Sequence, residues 1–168
     1  MVDFDVVELP EADHVDVGDE APDFTRPLVG DEYWRDAALS DIDGPVALVF
    51  FTMDGAFPAT YMWNEIRDRG WGTDDDLTVV GVSISTPYEH KRFVEERGME
   101  YELFSDPSAA VGDLYGAVQD LDGMTGIREH RPAVFLLDDD HAVEYAWVAS
   151  EWPEFPDYDE VEAHLDRL

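Results

Sequence analysis

The residues best suited to chemistry in this 168-residue chain are scattered: Asp54, the neighbours His130 and Arg131, the methionines Met53 and Met62, the serines Ser83 and Ser85, and four further histidines. A carboxylate, an imidazole and a guanidinium gathered near one helix N-terminus could support acid–base or phosphoryl chemistry. Asp54, His130 and Arg131 are therefore the candidate set for an enzyme of a non-thiol class. The five histidines (His14, His90, His130, His141 and His164) show neither His-x-x-x-His nor His-Glu-x-x-His spacing, so no metal site is expected. Each reads as an ordinary surface residue, with His130 beside Arg131 the one of interest. Ser83 and Ser85 follow a strand without a G-x-S-x-G elbow and read as caps or strand-end polar groups. Met53 and Met62 can take up peroxide oxygen as sulfoxide, but helical spacing assigns Met62 to the core with Trp63 and Ile66. No cofactor is implied by these patterns. Cysteine is absent altogether, which removes disulfides, thiolate metal sites and thiol nucleophiles at once.

The elements that must position these side chains follow from periodicity. Residues 46–51 (VALVFF) form an apolar run of strand length, followed after a Gly-containing loop by Ala59, Met62, Trp63 and Ile66 at helical spacings of three and four. A second apolar run, residues 77–84, completes a βαβ unit, whose strands should be parallel. Thr86, Pro87 and Glu89 make a capping box with proline at the first helical position, and this helix, carrying Tyr88, Phe93 and Val94, ends near Gly98. Asp106 and Pro107 repeat the cap-then-proline signal before a shorter helix with Val111, Leu114 and Tyr115, closed by Gly116. Residues 133–137 and 143–148 read as an antiparallel hairpin, and Val161, Leu165 and Leu168 as a terminal amphipathic helix. Trp152, Phe155 and Tyr158 lie in a proline-interrupted segment; they either fold back over the core or form an interaction patch, which would serve a homodimer or another protein.

Charge narrows the partners. Forty-one acidic residues against ten basic ones give a net charge of −31, and Lys91 is the one lysine beside nine arginines. A surface this acidic repels itself in dilute buffer, whereas near 1 M salt the Debye length falls to ~3 Å, so a salt-rich cytoplasm is the expected setting. Nucleic acid and anionic membranes, which demand clustered Lys and Arg, are excluded as partners. No apolar run approaches the ~20 residues of a membrane span, and the acidic N-terminus is unlike a secretory or lipidation signal; a soluble, cytoplasmic protein is expected. The chain reads as an N-terminal extension, residues 1–16, followed by one domain, residues 17–168.

Residues 17–25 (VGDEAPDFT) closely resemble the opening of the AhpC/TSA peroxiredoxins, and PVALVFF, VVGVSIS, HKRFVEERG, LFSDP, DLYGAV and VFLLDDDHAVEYAW follow in that family's order. The resemblance spans about residues 17–150 and implies an α/β, thioredoxin-like fold: a central mixed sheet flanked by helices, with an N-terminal hairpin extension. It also implies thiol-dependent peroxide reduction, performed by a cysteine in a Pro-x-x-x-Thr-x-x-Cys loop at a helix N-terminus. In this chain Thr52 stands at the Pro position, Ala56 at the Thr position and Ala59 at the cysteine position, while Asp54 matches an acidic residue often found in the loop. The family's late arginine lies six positions before an aspartate; here Pro132 stands there, with Arg131 one residue earlier. A methyl group can neither attack a peroxide nor become a sulfenic acid, so peroxidase activity is not expected. The expected role is that of a non-catalytic binding or regulatory pseudo-enzyme. Its former pocket, formed by Thr52, Asp54, Ala56, Phe57, Pro58, Ala59 and Arg131, would take a small ligand or a protein partner. A thiol restored at Ala59, together with Ala56→Thr, is expected to have a low pKa if the helix N-terminus is in place.

Overall fold

The computed structural model describes residues 6–31, 33–73, 76–119 and 125–168. The apolar run after Pro45 forms β4 (Val46–Phe50), every residue of which is buried, as expected of a strand covered on both faces. It pairs in parallel with β5 (Thr78–Ser83), Val46 lying opposite Thr78 and Phe50 opposite Val82, and α1 (Phe57–Arg69) is the crossover between them. The expected capping box opens α2 (Pro87–Arg97): Thr86 accepts from Glu89 N–H, Glu89 reaches back to Thr86 N–H, and Gly98 closes the helix in the left-handed region at φ 61°. A short third parallel strand, β6 (Glu102–Ser105), pairs with β5. Its four residues carry little periodicity, and the segment is recognisable in the sequence only through the LFSDP resemblance.

The expected hairpins are both present and belong to the same sheet. β7 (Val118–Gln119) and β8 (Glu129–His130) form a separate short antiparallel pair, after which β9 (Ala133–Leu137) runs antiparallel to β4 and to β10 (Val143–Val148), with a register shift between Val143 and Tyr145. The N-terminal hairpin, β2 (Thr25–Val29) and β3 (Arg35–Ala38), attaches through β2 to β6. The result is a mixed seven-stranded sheet in the order β10, β9, β4, β5, β6, β2, β3.

Side-chain alternation divides the core between the two faces of this sheet. One face carries Val49, Phe51, Val134 and Leu136 beneath Ala59, Met62, Trp63 and Ile66 of α1, Phe93 of α2 and Val161 of α4 (Tyr158–Leu165). The other carries Leu48, Phe50, Val82, Phe135 and Leu137 beneath Val111 and Tyr115 of α3 (Ala110–Tyr115), with Phe24 and Leu28 from the N-terminal hairpin region. Gly81 lets α1 approach closely, because a Cβ there would lie 2.5 Å from Trp63 Cζ2 and 2.7 Å from Leu103 Cδ2. The segment before residue 17 packs onto the domain: β1 (Val7–Glu8) pairs with β11 (Glu151–Trp152), Leu9 N–H donates to Ser150 O and Val15 N–H to Tyr115 O. No helix among the described residues is long and apolar enough to cross a membrane. Leu168, expected on the terminal helix, falls beyond its end and is exposed.

Candidate functional site

The C-terminal edge of the parallel strands is where α/β sheets gather functional groups. Here the β4–α1 loop, the start of α2, the turn after β6 and the start of β9 meet at that edge. Ala59 occupies the third position of α1, after Phe57 and Pro58, so the helix N-terminus that would serve a thiolate is in place. The surroundings are not those of a reactive site. Ala59 is only 1% exposed, its methyl belongs to the apolar cluster with Val49, Phe51, Met62 and Trp63, and Ala56 provides no side-chain cap.

Above this position the aromatic segment folds back. Trp152 meets Phe57 edge-on at 5.6 Å between ring centroids, Phe155 meets Tyr61 at 6.3 Å, and Tyr158 packs against Trp71 and under the Arg69 guanidinium. Of the three aromatics, Phe155 alone is exposed, beside an open Tyr61. Four clefts of 260 to 1080 Å³ on the described surface are lined by other residues, not by 52–59.

Asp54 turns inward. Its backbone N–H donates to Ser85 Oγ at 2.8 Å, and Ser85 N–H donates in turn to Ser83 Oγ, so both serines are buried loop supports rather than solvated strand ends. The Asp54 carboxyl lies 2.8 Å from His90 Nδ1. His90 is fully buried, and its Nε2 faces the Phe104 carbonyl at 2.9 Å; a carbonyl can only accept, so Nε2 carries a proton. Burial pushes the Asp54 carboxyl above its ordinary value, and the His90 contact opposes that rise without cancelling it. Asp54 Oδ1 and Thr52 Oγ1 are buried without hydrogen-bond partners, each at a cost of about 1–3 kcal/mol.

His130 belongs to a different arrangement. Its Nε2 lies 2.8 Å from Asp106 Oδ2, which also accepts from Val111 and Gly112 N–H, while Asp106 Oδ1 accepts from Arg26 Nε. Burial raises the Asp106 pKa, but the His130 contact, with help from the Gly112 N–H and Arg26, outweighs it and holds the carboxyl below its ordinary value. Asp106 thus secures α3 from a distance, whereas the sequence pattern placed it as the immediate cap; the residue in the cap position is Ala109. Gly112 leaves room for the imidazole, since a Cβ there would fall 2.5 Å from His130 Cδ2.

Arg131 lies on neither arrangement. Its guanidinium donates to the carbonyls of Val118, Ala149 and Pro10 and lines a cleft with Glu11, Asp13 and Gln119. Asp54, His130 and Arg131 therefore occupy three separate environments, and the acid–base set expected from their types is not assembled. Arg131 likewise does not line the region around Ala59. Two of the five histidines, His90 and His130, are fully buried, against the expectation of surface residues, and the other three are half-buried. His90 could have been found from its spacing, since Phe93 and Val94 follow at three and four residues on the same helix face.

A family model for the AhpC/TSA family matches residues 17–146. Thiol peroxidase of Staphylococcus aureus (strain COL) is 29% identical over 152 residues, covering 86% of this chain and 84% of that one. A Mycobacterium tuberculosis (strain CDC 1551 / Oshkosh) protein provisionally named a peroxiredoxin is 33% identical over 102 residues, 60% of this chain and 63% of its own length. The match thus spans under two thirds of that relative. Among solved structures, thiol peroxidase from Chromobacterium violaceum superposes with a TM-score of 0.78 at 23% identity, covering 93% of this chain and 89% of that one. Reduced Plasmodium vivax 2-Cys peroxiredoxin gives 0.74 at 20% identity, covering 90% and 81%. These likenesses carry the thioredoxin-like peroxiredoxin fold.

Proposed function

The chain belongs to the AhpC/TSA family, and we propose that it is a member without peroxidase activity, working by binding rather than by turnover. The observation that carries this reading is Ala59: a methyl group at the family's cysteine position, sealed in the apolar core of a chain with no cysteine. Supporting it, the loop's one retained acid, Asp54, is engaged with buried His90, and Phe57 and Trp152 close over the helix start. Contact with a protein partner or a second copy of the chain would be made at the rings left open above the sealed position, Tyr61 and Phe155. The acidic surface, at net charge −31, supports a salt-rich cytoplasm as the working environment.

The test is a coupled peroxidase assay in multimolar KCl with hydrogen peroxide and with an organic hydroperoxide. Peroxide consumption should stop at stoichiometric oxidation of methionine sulfur. Saturable, sustained turnover would overturn the proposal.

A further inference from the structure

On the sheet face away from Ala59, the cleft of about 390 Å³ beside Arg131 contains two buried groups whose bonding is incomplete. Arg131 is 5% exposed in a protein with 41 acidic residues, yet it makes no ion pair among the described residues. Its three hydrogen bonds all go to carbonyls, using three of the five N–H groups of a guanidinium. Burial lowers its pKa. Gln119, 6% exposed and on the same cleft wall, donates through Nε2 to Glu129 while its Oε1 has no partner. The cleft thus offers a buried cation that needs an acceptor and a buried acceptor that needs a donor.

The rim narrows the ligand class. Glu11 and Asp13 come from the N-terminal segment, and Arg128 is paired with Asp113 opposite them. A plain anion would be repelled by those rim carboxylates, and a plain cation by Arg131. A small zwitterion meets both requirements, and the cleft volume falls in the range of small-molecule sites. We propose that this cleft binds an α-amino acid, its carboxylate on the Arg131 guanidinium and its ammonium on Gln119 Oε1 and toward the rim carboxylates.

The site lies across the sheet from Ala59, so its failure would leave the non-catalytic reading untouched, and the reverse. The experiment uses the full ¹⁵N-labelled chain at constant KCl, titrated with glycine, L-alanine and L-glutamate, and separately with acetate and methylamine. Arg131 Nε–H and the Gln119 amide are the reporters. Saturable shifts of both are expected with the amino acids, and binding about tenfold weaker or more with either half-ligand. Because Arg131 also ties three segments together, the variant of choice is Gln119→Met, which removes the free acceptor Oε1 and the donation from Nε2 to Glu129. It should weaken glycine binding about tenfold and leave acetate binding unchanged. Absence of saturable shifts at both reporters, acetate binding as tight as glycine, or wild-type glycine affinity in Gln119→Met would each overturn the proposal.

Discussion

Replacing Ala59 with cysteine tests how far the reactive site has been dismantled. Two effects oppose each other on the new thiol. The first turn of α1 favours a thiolate by about 0.3–1 kcal/mol, which at ~1.36 kcal/mol per pKa unit lowers the pKa by under one unit. Burial raises it, by up to ~3–5 units for a fully enclosed group, and Ala59 is 1% exposed among Val49, Phe51, Met62 and Trp63. Arg131 does not offset this, because it is engaged with carbonyls on the other face. The low pKa expected from the helix N-terminus alone is therefore reversed. The Ala59→Cys thiol should titrate at or above ~8.5 and alkylate more slowly than the same thiol in the unfolded chain. The sulfur also overpacks the cluster, lowering stability by about 1–3 kcal/mol. Thiolate absorbance against pH, with near-ultraviolet circular dichroism as a check on folding, is the assay. A folded variant titrating a full unit or more below ~8.5 would refute the reasoning.

Asp106 should set part of the acid sensitivity. Its folded pKa is depressed, so the stability it contributes is present above the unfolded value of about 3.8 and is lost as pH falls through the lower folded value. Asp106→Asn leaves His130 and Arg26 without their carboxylate and should cost about 3–5 kcal/mol at neutral pH, while flattening the loss of stability below pH ~4. Urea melts across pH would contradict this if the variant kept the wild-type acid slope. The melting temperature should climb steeply as KCl rises from ~0.1 M to multimolar, because the screening length shrinks from ~10 Å to ~3 Å around a net charge of −31. A flat response in scanning calorimetry would detach the acidic surface from salt adaptation.

The periodic elements were legible without coordinates because their signals are local. A fully apolar run specifies β4, a Thr-Pro-x-Glu box followed by glycine specifies α2, and the resemblance to the AhpC/TSA loop after that strand sets Ala59 at the cysteine position. The absence of cysteine and the charge of −31 are properties of composition and needed no fold. What the tertiary structure decided is which face each side chain reaches and which distant residue it meets. Arg131 and Pro132 are neighbours in sequence, but Arg131 lies on the α3 side, toward which Ala133 and Phe135 of β9 also point, whereas Val134 and Leu136 point toward α1. One residue of register thus separates an arginine serving the old site from one walling a different cleft. The pairs Asp54 with His90 and Asp106 with His130 span 36 and 24 residues of chain, so only the sheet, by bringing the ends of β4, β5, β6 and β9 together, brings them into contact. Loss of the cysteine belongs to the sequence; sealing of its place by Phe57, Trp152 and the α1 core belongs to the fold, because burial is a property of long-range packing.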